Sequence, residues 1–189
     1  MAAGNGICTV DELEDIITAS TGGFTILPST AFDEVYPNVY IGEESIALSR
    51  VGLRNLGVTH ILNTEQGKSI CHVNANHVMY SKVDIQYLGF EATDQMNFDL
   101  SVYFEKGADF IEKGLNSGGK VMVNCKQGAS RSATLVLAFL MIKRHLTVQD
   151  AVRTVRAKRE IAPNPGFLQQ LCDLNEKLKK SGNFEDTKS

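Results

Sequence analysis

The chain has 189 residues, 43% of them hydrophobic and 22% charged, with 16 Gly and 4 Pro; this make-up excludes disordered, collagen-like and low-complexity classes and suits one self-folding domain. A formal net charge of −3 argues against general nucleic-acid affinity, which needs a basic field to neutralise phosphates. Residues 120–160 nevertheless hold nine Lys or Arg against two acids, a net of +7 that leaves −10 on the remainder, as expected of a local site for a compact anion or of a solvated helix face.

Thr9 ahead of Asp11 and Glu12 predicts a capped acidic helix to about Ala19. Val35 to Ile41 predicts one strand, with Gly42 turning into an amphipathic helix over 44–56 that Gly57 closes. Val58 to Asn63 and Ile85 to Glu91 predict two more strands, separated by a polar, turn-rich stretch over 66–76 and followed by a loop over 92–97. Asn97 or Asp99 is expected to cap a helix running through Leu115, and Gly118 and Gly119 end it. Lys120 to Cys125 is a short buried strand. The apolar run Ala133 to Ile142 is too long for a strand and predicts a core helix. Thr147 with Asp150, and Asn164 with Pro165, cap two further helices reaching about Lys158 and Lys180. The expected class is α/β, a central and mainly parallel twisted sheet of about five strands flanked by helices. Residues 1–25 are expected to form an N-terminal helix and loop packing on the domain, 26–181 the main domain and 182–189 a tail, with 1–25 and 181–189 as the ends where mobility is expected.

The N-terminus MAAGNGICTVDELEDII has neither a basic start nor an apolar run of signal length, and no 18-residue apolar stretch exists, so no secretion, membrane span or lipid anchor is expected. A cytoplasmic or nuclear location follows as the expectation. Cys8, Cys71, Cys125 and Cys172 are too far apart for zinc-finger pairs and too few for a disulfide framework, and are read as reduced thiols. His72 and His77, near Cys71, fit neither a zinc-finger nor a helical metal spacing, so no metal is expected.

Chemistry concentrates in Cys125-Lys126-Gln127-Gly128-Ala129-Ser130-Arg131-Ser132, which follows a strand and opens a helix. Such a loop must wrap tightly and aim successive N–H groups into one hollow, a nest for a tetrahedral oxyanion. The helix dipole adds positive potential, and Arg131 offers a planar fork of donors to two phosphate oxygens. Together they favour the thiolate form of Cys125, at the base of the hollow, as a nucleophile toward phosphorus. By contrast, Gly67-Lys68-Ser69 lacks the first glycine of a nucleotide-binding loop, and Gly128 to Ser132 lacks the last glycine of a nucleophile elbow.

The segment VNCKQGASRSATLVLAFLMIKRHLTVQDAVRTVRAKREIAPNPGFLQQLCDLNEKL resembles the HCxxGxxRS signature and C-terminal helices of the dual-specificity protein phosphatases. YPNVYIGEESIA, LGVTHILNTEQGKS and YLGFEATDQMNFDLSVYFEKGADFI extend the resemblance from about residue 10 to 180. It implies a phosphotyrosine protein phosphatase fold, with 26–181 as the catalytic domain, and places the chain with the small atypical members that lack a kinase-docking domain. It makes Cys125 the nucleophile that forms a phosphocysteine, Arg131 the phosphate clamp, Ser132 the hydroxyl that eases departure of the thiolate, and Asp94 the general acid. A leaving alkoxide needs a proton, and its donor is expected on a mobile loop over the hollow. Lys126, Gln127, Gly128, Ala129, Ser130 and Arg131 line the phosphate site. Arg159 matches the position that meets a second phosphate of a doubly phosphorylated substrate, and Asn164 is expected to support one of the two loops or only to cap its helix.

Where the family has His before the nucleophile, this chain has Asn124, which can bond carbonyls but carries no positive charge; weaker or pH-shifted activity is expected. The resemblance implies phosphorylated protein substrates, MAP kinases among them, with no cofactor, no nucleic acid and no membrane, in a monomer or weak dimer. Two alternatives stand beside it. One is a weak or inactive pseudophosphatase that binds phosphoproteins; the other is an RNA or phosphoinositide phosphatase.

Overall fold

The computed structural model describes residues 7–70 and 72–184. Five strands, β1 (Phe32–Tyr36), β2 (Val39–Gly42), β3 (His60–Asn63), β4 (Gln86–Gly89) and β5 (Val121–Asn124), form one sheet in the order β1-β2-β5-β3-β4. β1 and β2 pair antiparallel and every other neighbour is parallel.

The helices are α1 (Val10–Thr18), α2 (Glu44–Leu48), α3 (Arg50–Leu56), α4 (His77–Ser81), α5 (Phe104–Asn116), α6 (Arg131–Arg144), α7 (Val148–Arg156) and α8 (Pro165–Lys180). Three of the expected caps form: Thr9, Thr147 and Asn164 accept from the amides of Glu12, Asp150 and Phe167. Each satisfies one of the donors that a helix start leaves open.

Strand alternation divides the core. Tyr40, Ile61 and Met122 face α2, α3 and α4, where they meet Ile46, Ala47, Leu53 and Tyr80. Val39, Ile41, Leu62, Val121 and Val123 face the opposite layer of α1, α5, α6, α7 and α8. Because α6 lies between the sheet and the outer helices, every residue from Arg131 to Met141 is buried. That accounts for its lack of a polar face.

Several expectations change. The single strand expected over 35–41 is a hairpin, because Pro37-Asn38 turns the chain with Asn38 in the left-handed region at φ 61°, a conformation Asn tolerates. The amphipathic helix over 44–56 breaks at Ser49, whose hydroxyl accepts from the Gly52 amide and restarts the helix as α3. A short unexpected helix, α4, follows the polar stretch and starts where Asn76 caps it. Neither Asn97 nor Asp99 caps α5: Asp99 instead accepts from the Ser101 amide and opens a 3-10 turn over Ser101–Tyr103.

Helix α1 packs on the main core, in which its Leu13 and Ile17 are buried. Cys8 and Cys172 are joined in a disulfide across 164 residues, with Cα atoms 5.4 Å apart. This corrects the reading of these two as reduced thiols; α1 lies against α8, which brings together positions that sequence spacing keeps apart. Cys125 is a free, buried thiol. Cys71, and the parts of the terminal segments at 1–6 and 185–189, lie outside the described residues.

Candidate active site

The loop between β5 and α6 sits at the carboxyl end of the central strand, where parallel sheets present ligand sites. Its shape depends on Gly128, which takes φ 61°. A Cβ there would lie 2.7 Å from the Gly42 carbonyl and 2.8 Å from Arg159 Nη2, so only glycine permits both the turn and the close approach. Ser130 occupies the N-cap of α6, and its side chain makes no capping bond to that helix. The amides of the first turn are thus left facing the loop, with the positive end of the helix dipole behind them.

These features enclose a cleft of about 340 Å3 lined by Glu65, Ile70, Asp94, Cys125, Lys126, Gln127, Ser130 and Arg131. Cys125 is 2% exposed, and its Sγ reaches the cleft with Ser132 Oγ 3.2 Å away. Either atom of that pair can donate, so the hydroxyl is placed to stabilise a thiolate. Arg131 extends along the floor, where Nη1 donates to Ala92 O at 3.1 Å and Nη2 pairs with Glu65 Oε1 at 2.9 Å. Its Nε lies 3.9 Å from Asp94 Oδ2.

Asp94 comes from the loop after β4. Its Oδ1 accepts from Ser130 Oγ and from Asn164 Nδ2, each at 2.8 Å. The Ser130 hydroxyl is therefore committed to Asp94, and it also accepts from the backbone amide of Asn164 at 3.3 Å. The Asp94 loop was expected to be mobile, yet α8 holds it at several points. Gln170 donates to Phe98 O at 2.8 Å and accepts from the amides of Leu100 and Ser101 at 2.9 and 3.0 Å. Gly166 lies so close to the loop that a Cβ would stand 1.9 Å from Met96 O.

Arg159 does not reach the cleft. It is 1% exposed, and its Nε donates to Gly128 O at 2.8 Å while Nη1 donates to Thr30 O, Thr30 Oγ1 and Asp33 Oδ2 at 3.1, 3.1 and 2.6 Å. Where a second phosphate was expected, the guanidinium braces the back of the signature loop, with Nε and Nη1 engaged and Nη2 reaching Gln127 O at 3.4 Å. Lys126 pairs with Glu44, at the start of α2, and Gln127 is exposed at the rim.

Asn124 is fully buried. Its Nδ2 donates to Asn63 Oδ1 at 3.1 Å, and its carbonyl accepts from both the amide and the hydroxyl of Thr64. Asn63 continues the chain of bonds to Val73 O and Tyr87 Oη. The amide thus stitches the base of the signature loop to β3 by neutral bonds alone.

Sequence reasoning missed Glu65, whose side chain is 0% exposed. Burial raises its carboxyl above the usual carboxylate range, offset in part by the Arg131 charge and by a backbone hydrogen bond and the charge of Lys126. A Glu in a polar stretch after a strand carries no mark of burial. Only the path of the chain shows it beneath Arg131.

The model of the dual specificity phosphatase catalytic domain matches residues 39–177. The chain belongs to the dual specificity phosphatase family. It is 44% identical over 149 residues to Dual specificity protein phosphatase 26 of Homo sapiens and to that of Rattus norvegicus, covering 78% of this chain and 69% of each relative. Human DUSP28 matches in structure with a TM-score of 0.70 at 27% identity, covering 82% of this chain and 99% of the other. A human tyrosine phosphatase-like serine/threonine/tyrosine-interacting protein matches with a TM-score of 0.69 at 27% identity, covering 78% and 97%. The fold shared with human DUSP28 is, in this chain, a mainly parallel five-stranded sheet between helical layers.

Proposed function

We infer that this chain hydrolyses phosphotyrosine and phosphoserine or phosphothreonine esters of proteins by two displacements at phosphorus. One observation carries the reading: the Cys125 thiol, the Arg131 guanidinium and the Asp94 carboxyl line a single cleft beside the N-terminus of α6. In the first step the Cys125 thiolate attacks phosphorus as the bond to the ester oxygen breaks, and Asp94 delivers its proton to that oxygen. Oδ1 already receives two hydrogen bonds, so Oδ2 is the oxygen that carries the proton. In the second step water attacks the phosphocysteine and gives a proton to Asp94. The phosphorus–sulfur bond breaks, and Ser132 Oγ, 3.2 Å from Sγ, steadies the departing thiolate.

Arg131 and the loop amides hold the equatorial oxygens throughout, with charge-assisted bonds that strengthen as negative charge builds. Phosphoproteins are the substrates, and phosphorylated MAP kinases are the class that the family resemblance implies. The test is turnover of an aryl phosphate. Cys125→Ser is expected to abolish it, and Arg131→Ala to lower kcat/KM by about 10³-fold or more, the scale of losing a charged transition-state donor. Binding of a phosphopeptide with no hydrolysis at any pH would instead support a binding-only protein.

A further inference from the structure

The two displacements leave Glu65 without a task, although it lies in the cleft. Its position is tightly set. Its amide donates to Asn63 Oδ1 at 3.1 Å, its carbonyl accepts from the Val73 amide at 2.8 Å, and the next amide, Gln66, donates to Phe90 O at 2.8 Å. The carboxylate is therefore aimed at Arg131 by the backbone on both sides. Nε and Nη2 form one edge of the guanidinium, the edge suited to two parallel bonds with a phosphoryl group. Glu65 Oε1 lies 2.9 Å from Nη2 and Asp94 Oδ2 lies 3.9 Å from Nε. Opposite them, Nη1 is tied to the Ala92 carbonyl.

We infer that Glu65 is a positioning residue that also acts as a resident anion: it holds the Arg131 edge in line while the cleft is empty, and it competes with the incoming phosphoryl group for the same donors. This rests on the phosphatase reading for the identity of the incoming group. The physics is that of a buried ion pair. A guanidinium at 9% side-chain exposure beside a fully buried carboxylate is compensated, and an added dianion meets a like charge within a partly dried cleft. Removing the Glu65 charge leaves Arg131 with only the more distant Asp94 carboxyl, 3.9 Å from Nε, and therefore more demanding of an anion. The Arg131 edge also loses its restraint.

The experiment measures binding of inorganic sulfate to the full chain by calorimetry, beside kcat for an aryl phosphate, in wild type, Glu65→Gln and Glu65→Asp. Gln keeps the shape and removes the charge; Asp keeps the charge and withdraws it from Nη2. Glu65→Gln is expected to bind sulfate about tenfold tighter, the scale of one buried-charge coupling. Its kcat should fall about tenfold as Arg131 alignment is lost. Glu65→Asp is expected to show a similar fall in kcat with sulfate affinity within about twofold of wild type.

Sulfate binding in Glu65→Gln equal to or weaker than wild type overturns the inference, as does an unchanged kcat in both variants. Should Glu65→Gln fail to fold, Glu65→Asp decides: a lower kcat at unchanged melting temperature supports positioning, and an unchanged kcat refutes it. A wild type that binds sulfate but never turns over phosphate ester would remove the phosphatase reading while leaving the anion competition intact. No sulfate binding in wild type and Gln variant alike removes the competition itself.

Discussion

Asn124 is placed so that one buried side chain is expected to shift the reaction without touching substrate. It lies directly before the nucleophile in sequence and joins the base of the loop to Asn63 and Thr64 by neutral hydrogen bonds. A His at this position could carry positive charge near the sulfur. Asn124→His is therefore expected to move the acid limb of kcat/KM for an aryl phosphate to lower pH, by about half a unit to one unit. An unchanged limb would mean that the loop amides and α6 set the ionisation of the nucleophile by themselves. The residues of the signature loop are legible in the sequence because their spacing is demanded by chemistry. Glu65 and Arg159 are not: whether a charged side chain is solvated or buried depends on the path of the backbone around it, which neighbouring residues do not encode.

Among the elements, α8 does more than close the core. Asn164 at its N-cap bonds Asp94, Gly166 lies against Met96, and Gln170 secures residues 98, 100 and 101. The loop that carries Asp94 is thereby tied into the fold. Gly166→Ala is expected to push Met96 away and carry Asp94 off line, lowering kcat about 10- to 100-fold with KM little changed. The loss should grow with the basicity of the leaving group, because a poor leaving group depends most on the proton. Equal loss across leaving groups would assign Gly166 to stability alone. The helix caps were readable because Thr9, Thr147 and Asn164 act within three residues of themselves. The break at Ser49 and the hairpin at Asn38 were missed because each is a local turn inside a stretch whose apolar pattern continues across it.

For the whole molecule, the sheet and α6 form one rigid support. The parallel β5 and the buried α6 fix the two ends of the signature loop, and Arg159 braces it from behind. Alternation in the strands and the unbroken apolar run of α6 made this α/β architecture legible at the outset. The Cys8–Cys172 disulfide was not legible, since its partners lie 164 residues apart and only α1 packing on α8 unites them. Closing so long a loop restricts the unfolded chain, so Cys8→Ser is expected to cost about 2–4 kcal/mol. Urea unfolding with and without reductant checks this: reductant should lower the wild-type midpoint and leave Cys8→Ser unmoved, whereas equal midpoints for both proteins under both conditions would contradict it.

The central claim is that a single sulfur accepts the phosphoryl group. Rapid acid quench of Asp94→Asn during turnover of an aryl phosphate, followed by mass spectrometry of its peptides, tests this directly. The account predicts a phosphoryl group on the peptide containing Cys125 and none when Cys125→Ser is added. Turnover by the chain with no phosphorylated peptide at any quench time, or with the label on another residue, would contradict it.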